Sequence, residues 1–129
     1  MSENRPPALS VRSLHTVLYC QKWKECITFY RDVLGFPVVF TNEIFVEVQP
    51  ATGARIGLMN AHRTRWPASG GDGFILSFRV SDIEETHQSL QKECSGLGPV
   101  EDHPWGARLF EIKDPEGRRI EFWSDADNV

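Results

Sequence analysis

The same order of predicted elements occurs twice along the chain, and this repeat constrains the fold more than any other feature. The first copy has a strand-like run, a helical segment and three more strand-like runs: SLHTVLYC, KWKECITFYRDVLG, FPVVFTN, IFVEVQ and ARIGLMN. The second copy has GFILSFRV, SDIEETHQSLQKE, LGPVEDHPW, ARLFEIK and RRIEFW. Leu18 aligns with Phe78, an offset of 78 − 18 = 60 residues. Each half is therefore predicted to be a β-α-β-β-β module.

The segments outside these runs predict the domain organisation. A chain of 129 residues suits one domain with a single core. The start, MSENRPPALSVR, has no apolar run and is predicted to be a disordered tail. We expect a tail at 1–12, one domain at 13–123 with modules at 13–60 and 74–123, a linker loop at 61–73, and a C-terminal tail at 124–129.

Local signals support these boundaries. Gly35 is the expected end of the first helix. The second helix begins with a capping pattern in which Asp82 reaches towards Glu85. The stretch DPEG, residues 114–117, is typical of a type I turn because proline stands second and glycine fourth.

Charge and composition exclude several classes of partner. The formal net charge is −4, and lysine and arginine form no basic stripe, so we expect no nucleic-acid binding. No apolar run approaches the ~18 residues that a membrane span needs. The three cysteines form no CxxC pair, which favours reduced thiols and a cytoplasmic location.

Alternation along the strands predicts which side chains share a face. In the last strand, Ile120 and Phe122 share an apolar face, and Glu121 and Trp123 lie on the opposite one. The first strand places His15 on a face opposite Leu18 in the same way. We expect the apolar faces to pack on the helices. The mixed faces are then the wall of a solvated cavity.

Two motifs carry a family resemblance. The segments LHTVLYCQKWKECITFYRDVLGF and DPEGRRIEFW, with a repeat between them, resemble the vicinal oxygen chelate superfamily. That superfamily includes glyoxalase, bleomycin-resistance proteins, fosfomycin-resistance enzymes and extradiol dioxygenases. The resemblance implies an α+β fold in which two β-α-β-β-β modules form a cup-shaped mixed sheet, and it implies a homodimer.

The resemblance also implies positions for metal ligands. Metal-using members place ligands on the first and last strands of each module, which correspond here to His15, Gly57, Ile75 and Glu121. Only His15 and Glu121 can donate to a metal, whereas catalytic zinc usually has three protein ligands. A divalent metal cofactor is therefore possible, but the site is incomplete. Glu121 is the candidate catalytic carboxylate.

Several side chains are expected to line the cup and bind a ligand. Pairing across the Asp114–Gly117 turn would place Phe110 opposite Glu121 and Arg108 opposite Trp123. The predicted ligand-binding residues are His15, Tyr19, Trp105, Arg108, Phe110, Glu121 and Trp123. An alternative is that His15 and Glu121 have a structural role and bind no ligand. His15 and Glu121 could bond each other, or an arginine could pair with Glu121.

Two functions follow from these observations. In the first, the protein binds a small molecule in the cup without chemistry, as the resemblance to bleomycin-resistance proteins implies. The missing metal ligands and the aromatic residues favour it. In the alternative, a divalent metal holds two adjacent oxygens of a substrate, and the protein is a lyase, isomerase or dioxygenase. The sequence names no ligand for either.

Overall fold

The computed structural model describes Ser10 and residues 12–65, 73–104 and 106–126. The β-α-β-β-β order is confirmed in both halves. The first module contains β1 (His15–Cys20), α1 (Trp23–Ile27), β2 (Val38–Thr41), β3 (Phe45–Ala51) and β4 (Ala54–Asn60). The second contains β5 (Leu76–Arg79), α2 (Ile83–Gln91), β6 (Glu101–His103), β7 (Ala107–Lys113) and β8 (Arg119–Asp125).

Some boundaries differ from the expectation or lie outside the described part. Helix α1 continues as a π-helix over Thr28–Val33, and Gly35 follows it with a φ of 75°. Strand β8 runs to Asp125, so residues 124 and 125 belong to the sheet rather than to a tail. The predicted N-terminal tail lies outside the described residues except for Ser10 and Arg12. None of the helices in the described part is long and apolar enough to cross a membrane.

The strands form two four-stranded mixed sheets. Sheet A has the order β1-β4-β3-β2, and sheet B has the order β5-β8-β7-β6. In each sheet the first and last strands of the module pair in parallel, and the remaining pairs are antiparallel. The two sheets thus have the same topology, which confirms the predicted α+β fold built from two modules.

One hydrophobic core takes in residues from both sheets and both helices. In β8, Ile120 and Phe122 are buried in it, while Glu121 between them is half-buried on the other face. In β1, Leu18 is buried in the same core and His15 is exposed. Alternation therefore predicted the inward and outward sides of these strands correctly.

The predicted pairing of β7 with β8 is wrong by one residue. Phe110 lies opposite Phe122, and Glu111 lies opposite Glu121. The reason is the length of the connection: Asp114 N–H donates to the Arg118 carbonyl at 3.0 Å, so five residues, not four, separate the strands. A one-residue slip exchanges the faces of a strand.

This register moves Phe110 and Arg108 away from the face of Glu121. Phe110 is buried in the core, where its ring stacks on Phe122 with a centroid distance of 5.3 Å. Arg108 lies on the helix side of the sheet and forms ion pairs with Glu84 of α2 and with Asp102. The predicted placement of Phe110 and Arg108 on the same wall as Glu121 is therefore wrong.

A buried ionic network joins the two sequence motifs. The Tyr30 hydroxyl donates to Asp114 Oδ2 at 2.7 Å, and Arg118 Nη1 donates to the same oxygen at 2.9 Å. Arg118 Nη2 also donates to the Tyr19 carbonyl at 2.5 Å. The side chains of Arg118 and Asp114 are almost fully buried, with exposures of 4% and 0%. The turn of the second module is thus fixed to the helix and first strand of the first module.

Candidate functional site

The side of sheet A that is turned away from the core is a mixed surface of charged, polar and aromatic residues, here called face A. Register places its members on alternate positions of β1, β4 and β3, together with one residue of β2. Face A consists of His15, Val17, Tyr19, Phe40, Phe45, Glu47, Arg55, Gly57 and Met59.

His15 is the centre of a hydrogen-bond network on face A. Its Nδ1 lies 2.7 Å from Glu47 Oε2, and its Nε2 lies 2.9 Å from Ser13 Oγ. Arg55 Nη1 donates to the other oxygen of Glu47 at 3.3 Å, and Arg55 Nε donates to Gln49 at 3.1 Å. The imidazole is therefore held from both ring nitrogens.

The protonation state of Glu47 fixes the roles of these atoms. Burial acts to raise the pKa of Glu47, but hydrogen bonds from His15 and Arg55 outweigh it and hold that pKa below its usual range. A carboxylate can only accept hydrogen bonds. His15 Nδ1–H therefore donates a hydrogen bond to Glu47 Oε2, and in that tautomer Nε2 can accept a hydrogen bond from Ser13 Oγ.

An aromatic floor lies beside this network. A Cβ atom at Gly57 would lie 2.3 Å from Phe45 Cζ, so the Phe45 ring rests directly on the backbone of Gly57. The Phe40 ring follows at a centroid distance of 6.2 Å. Gly57 pairs with Val17 on one side and Glu47 on the other. The apolar floor and the charged network are thus contiguous.

The corresponding side of sheet B, here called face B, is more charged. Face B consists of Ser77, Arg79, Leu109, Glu111, Arg119, Glu121 and Trp123. Its carboxylate Glu121 accepts a hydrogen bond from Ser77 Oγ at 2.5 Å. Arg119 does not pair with Glu121 but donates to Glu111 at 2.8 and 3.1 Å.

The predicted site residues are divided between these surfaces. His15 and Tyr19 lie on face A, whereas Glu121 and Trp123 lie on face B. The proposed hydrogen bond between His15 and Glu121 is wrong, because His15 bonds Glu47 and Ser13 while Glu121 bonds Ser77. Trp105 lies outside the described residues.

The residues at the four family ligand positions do not fit a metal centre within this chain. Gly57 is covered by the Phe45 ring, and Ile75 offers no donor. His15 already bonds through both ring nitrogens. Among the described residues, no group of three or more histidine, cysteine, aspartate or glutamate side chains is placed to hold an ion.

Glu47, the buried carboxylate of the face A network, was not predicted from the sequence. Glu47 stands in the strand IFVEVQ among apolar residues, and alternation alone would have put it on the face opposite Val46 and Val48. Glu111 occupies the matching place in ARLFEIK. The available signal was a mid-strand glutamate in both modules.

The described part of the chain also has two open clefts. One, of about 450 Å³, lies between the π-helix and α2. The other, of about 350 Å³, lies between the starts of β1 and β4 and strand β5, and Arg55 and Ser77 are among its lining residues. Neither is lined by His15, Glu47 or Glu121. The candidate site is therefore face A, which has the polar network of His15, Glu47 and Arg55 that neither cleft contains as a whole.

The contact between Phe45 and Gly57 makes a testable prediction. Gly57→Ala should destabilise the protein by about 1–3 kcal/mol, because the new methyl group displaces the ring. In a Phe45→Ala background the same change should be neutral or stabilising, since alanine reduces the entropy of the unfolded chain. Urea denaturation of the four proteins in this cycle measures both effects. Equal costs in the two backgrounds would contradict the contact.

Comparison with known proteins identifies the same fold. Lactoylglutathione lyase from Agrobacterium tumefaciens superposes with a TM-score of 0.71 at 22% identity, covering 92% of this chain and 95% of that one. TnmS3, an antibiotic binding protein from Streptomyces sp. CB03234, superposes with a TM-score of 0.74 at 19% identity, covering 93% of this chain and 99% of that one.

Sequence comparison gives the family. The uncharacterized protein YraH from Bacillus subtilis (strain 168) is 23% identical over 126 residues, which cover 88% of this chain and 98% of that protein. The sequence model of the glyoxalase/bleomycin resistance protein/dioxygenase superfamily matches residues 12–122, nearly the whole length. The chain therefore belongs to the glyoxalase/bleomycin resistance protein/dioxygenase superfamily.

Proposed function

We propose that this protein binds a small molecule on face A. The observation that carries the proposal is the Phe45 ring seated on Gly57, directly beside the paired charges of Glu47 and Arg55. Ligand sites combine apolar and aromatic surface with a few fixed polar groups, and face A has this composition. Phe40, which is 50% exposed, extends the aromatic surface towards solvent.

The similarity to an antibiotic binding protein supports a binding role. TnmS3 shares the fold over nearly its whole length. An aromatic floor suits a ligand with a flat or apolar part, because ring faces pack on such groups over a large area. The fixed carboxylate and guanidinium would then orient a polar group of the same ligand.

We further propose that a homodimer completes the binding cup. Each sheet has two edge strands in the described chain, β1 and β2 in sheet A and β5 and β6 in sheet B. Leu14 is exposed just before β1, and Phe74 is exposed just before β5. Exposed apolar residues along strand edges favour association. In such a dimer, face A of one chain and face B of its partner, including Glu121 and Trp123, would line one cup.

The alternative, a metal-dependent lyase, isomerase or dioxygenase, has weaker support. The similarity in fold to lactoylglutathione lyase favours it. Its donors within the family positions are His15 and Glu121, which lie on different faces of this chain. A third donor would have to come from outside those positions.

A cytoplasmic location accompanies the proposal. All three cysteines, Cys20, Cys26 and Cys94, are free, and the first two are buried. Free thiols are the usual state in a reducing compartment.

Binding is tested by titration with the apolar fluorescent dye 8-anilinonaphthalene-1-sulfonate. Phe40→Ala should weaken binding of the dye by about 5- to 10-fold, since an aromatic contact contributes about 1–1.4 kcal/mol. Val38→Ala is the matched control. It lies on the same strand with a similar exposure, 39%, but pairs with Val48 on the core side.

Equal weakening by both changes would contradict binding on face A, and so would no dye binding at all. A stoichiometric zinc, nickel, manganese or iron ion in protein purified without a histidine tag would favour the metal-dependent alternative.

The homodimer is tested by light scattering on the full chain. We expect a mass of two chains of 14.7 kDa each at micromolar concentration. The physical reason is that pairing covers the exposed apolar residues at the sheet edges. A mass of 14.7 kDa under these conditions would contradict the dimer.

A further inference from the structure

A serine, a histidine and a glutamate are joined by hydrogen bonds in the order found in hydrolytic triads: Ser13, His15 and Glu47. Ser13 Oγ lies 2.9 Å from His15 Nε2, and His15 Nδ1 lies 2.7 Å from Glu47 Oε2. Ser13 and His15 are two positions apart, and both are exposed. A hydroxyl on one ring nitrogen and a carboxylate on the other is the arrangement that activates serine in unrelated folds.

The carboxylate is held more firmly than the other two members. The Glu47 side chain is 8% exposed, and the Arg55 guanidinium bonds its second oxygen at 3.3 Å. Because Glu47 accepts a hydrogen bond from Nδ1–H, His15 Nε2 has no hydrogen and can accept a hydrogen bond from the Ser13 hydroxyl. Glu47 is thus a positioning residue that fixes the tautomer of the ring.

We propose that Ser13, His15 and Glu47 form a nucleophilic site for acyl transfer from small apolar carboxylic esters. Nothing in the proposed binding function requires this activity, since binding needs no reactive hydroxyl. The exposed Val17 follows His15 on the same face of β1, and Phe45 lies over the adjoining Gly57. This apolar surface follows His15 along the same face of the sheet, and it suits the hydrocarbon part of an ester.

The reaction balances with water as the only co-reactant. Ser13 Oγ forms a bond to the ester carbonyl carbon, and His15 Nε2 takes the hydroxyl proton. The bond between that carbon and the leaving alkoxide breaks, and the alkoxide departs as an alcohol with the proton from His15. Water then attacks the acyl carbon and gives a proton to His15. The bond between that carbon and Ser13 Oγ breaks, Ser13 Oγ takes the proton back from His15, and a carboxylic acid is released.

The test is labelling of the full chain by an alkyl fluorophosphonate. Ser13 Oγ forms a bond to phosphorus, fluoride leaves, and the proton passes to His15. We expect peptide mapping to place one adduct on Ser13. Ser77 is an internal comparison in the same sample, because its hydroxyl bonds a carboxylate, Glu121, without an intervening imidazole. Ser77 should stay unlabelled.

Three variants of the proposed site and one control variant separate loss of reaction from loss of folding. Ser13→Ala should abolish the adduct, and His15→Ala should slow labelling by about 100-fold because the proton acceptor is lost. Added free imidazole should partly restore the rate in His15→Ala. Glu47→Gln should lower the maximal labelling rate by about 10-fold, a larger effect than its change in the apparent dissociation constant of the reagent, because the amide no longer fixes the tautomer of His15. Ser95→Ala, an exposed serine far along the chain, should behave as the parent protein.

The proposal is overturned if the parent protein gives no adduct, if Ser13 reacts no faster than Ser77, or if His15→Ala leaves the rate unchanged. Each of these results is compatible with dye binding on face A. Failure of the triad can therefore be distinguished from failure of the proposed binding function.

Discussion

The structure depends on one constraint, that each sheet buries one of its two faces in a core shared by both modules. In β8, Ile120 and Phe122 have exposures of 0% and 5%, and this fixes Glu121 and Trp123 on the other side of the sheet. The same alternation in sheet A buries Leu58 and turns Gly57 outward. Every residue of the candidate site owes its position to this division.

The two modules have the same strand topology but differ in the residues at equivalent positions. Gly57 pairs with Glu47 in sheet A as Glu121 pairs with Glu111 in sheet B. Glu47 forms an ion pair with Arg55 in sheet A, and Glu111 forms an ion pair with Arg119 in sheet B. The residues opposite these glutamates differ: sheet A has Gly57, which the Phe45 ring covers, and sheet B has the carboxylate Glu121. The two modules thus share the glutamate–arginine pair and differ at the position beside it.

Much of the fold could be predicted from the sequence, and less of the site. The predictions made from the repeat, from strand alternation and from the Asp82 cap are correct, because each depends on a pattern visible in the sequence. Asp82 accepts a hydrogen bond from Glu85 N–H at 3.0 Å. The pairing of β7 with β8 failed because it depends on one extra residue in the turn, which Asp114 stabilises by accepting from the backbone of Glu116 and Arg118. The Glu47–His15 contact joins residues 32 apart and has no local signature.

The division into a buried and an outer face is tested most directly on adjacent residues of β8. Phe122→Ala should lower the free energy of unfolding by about 3–5 kcal/mol, because it removes a buried ring. Glu121→Gln should cost about 1 kcal/mol or less, because glutamine keeps the shape and can still accept from Ser77. Urea denaturation of the two variants beside the parent protein decides the matter. A mild Phe122→Ala together with a severe Glu121→Gln would show that the faces are reversed.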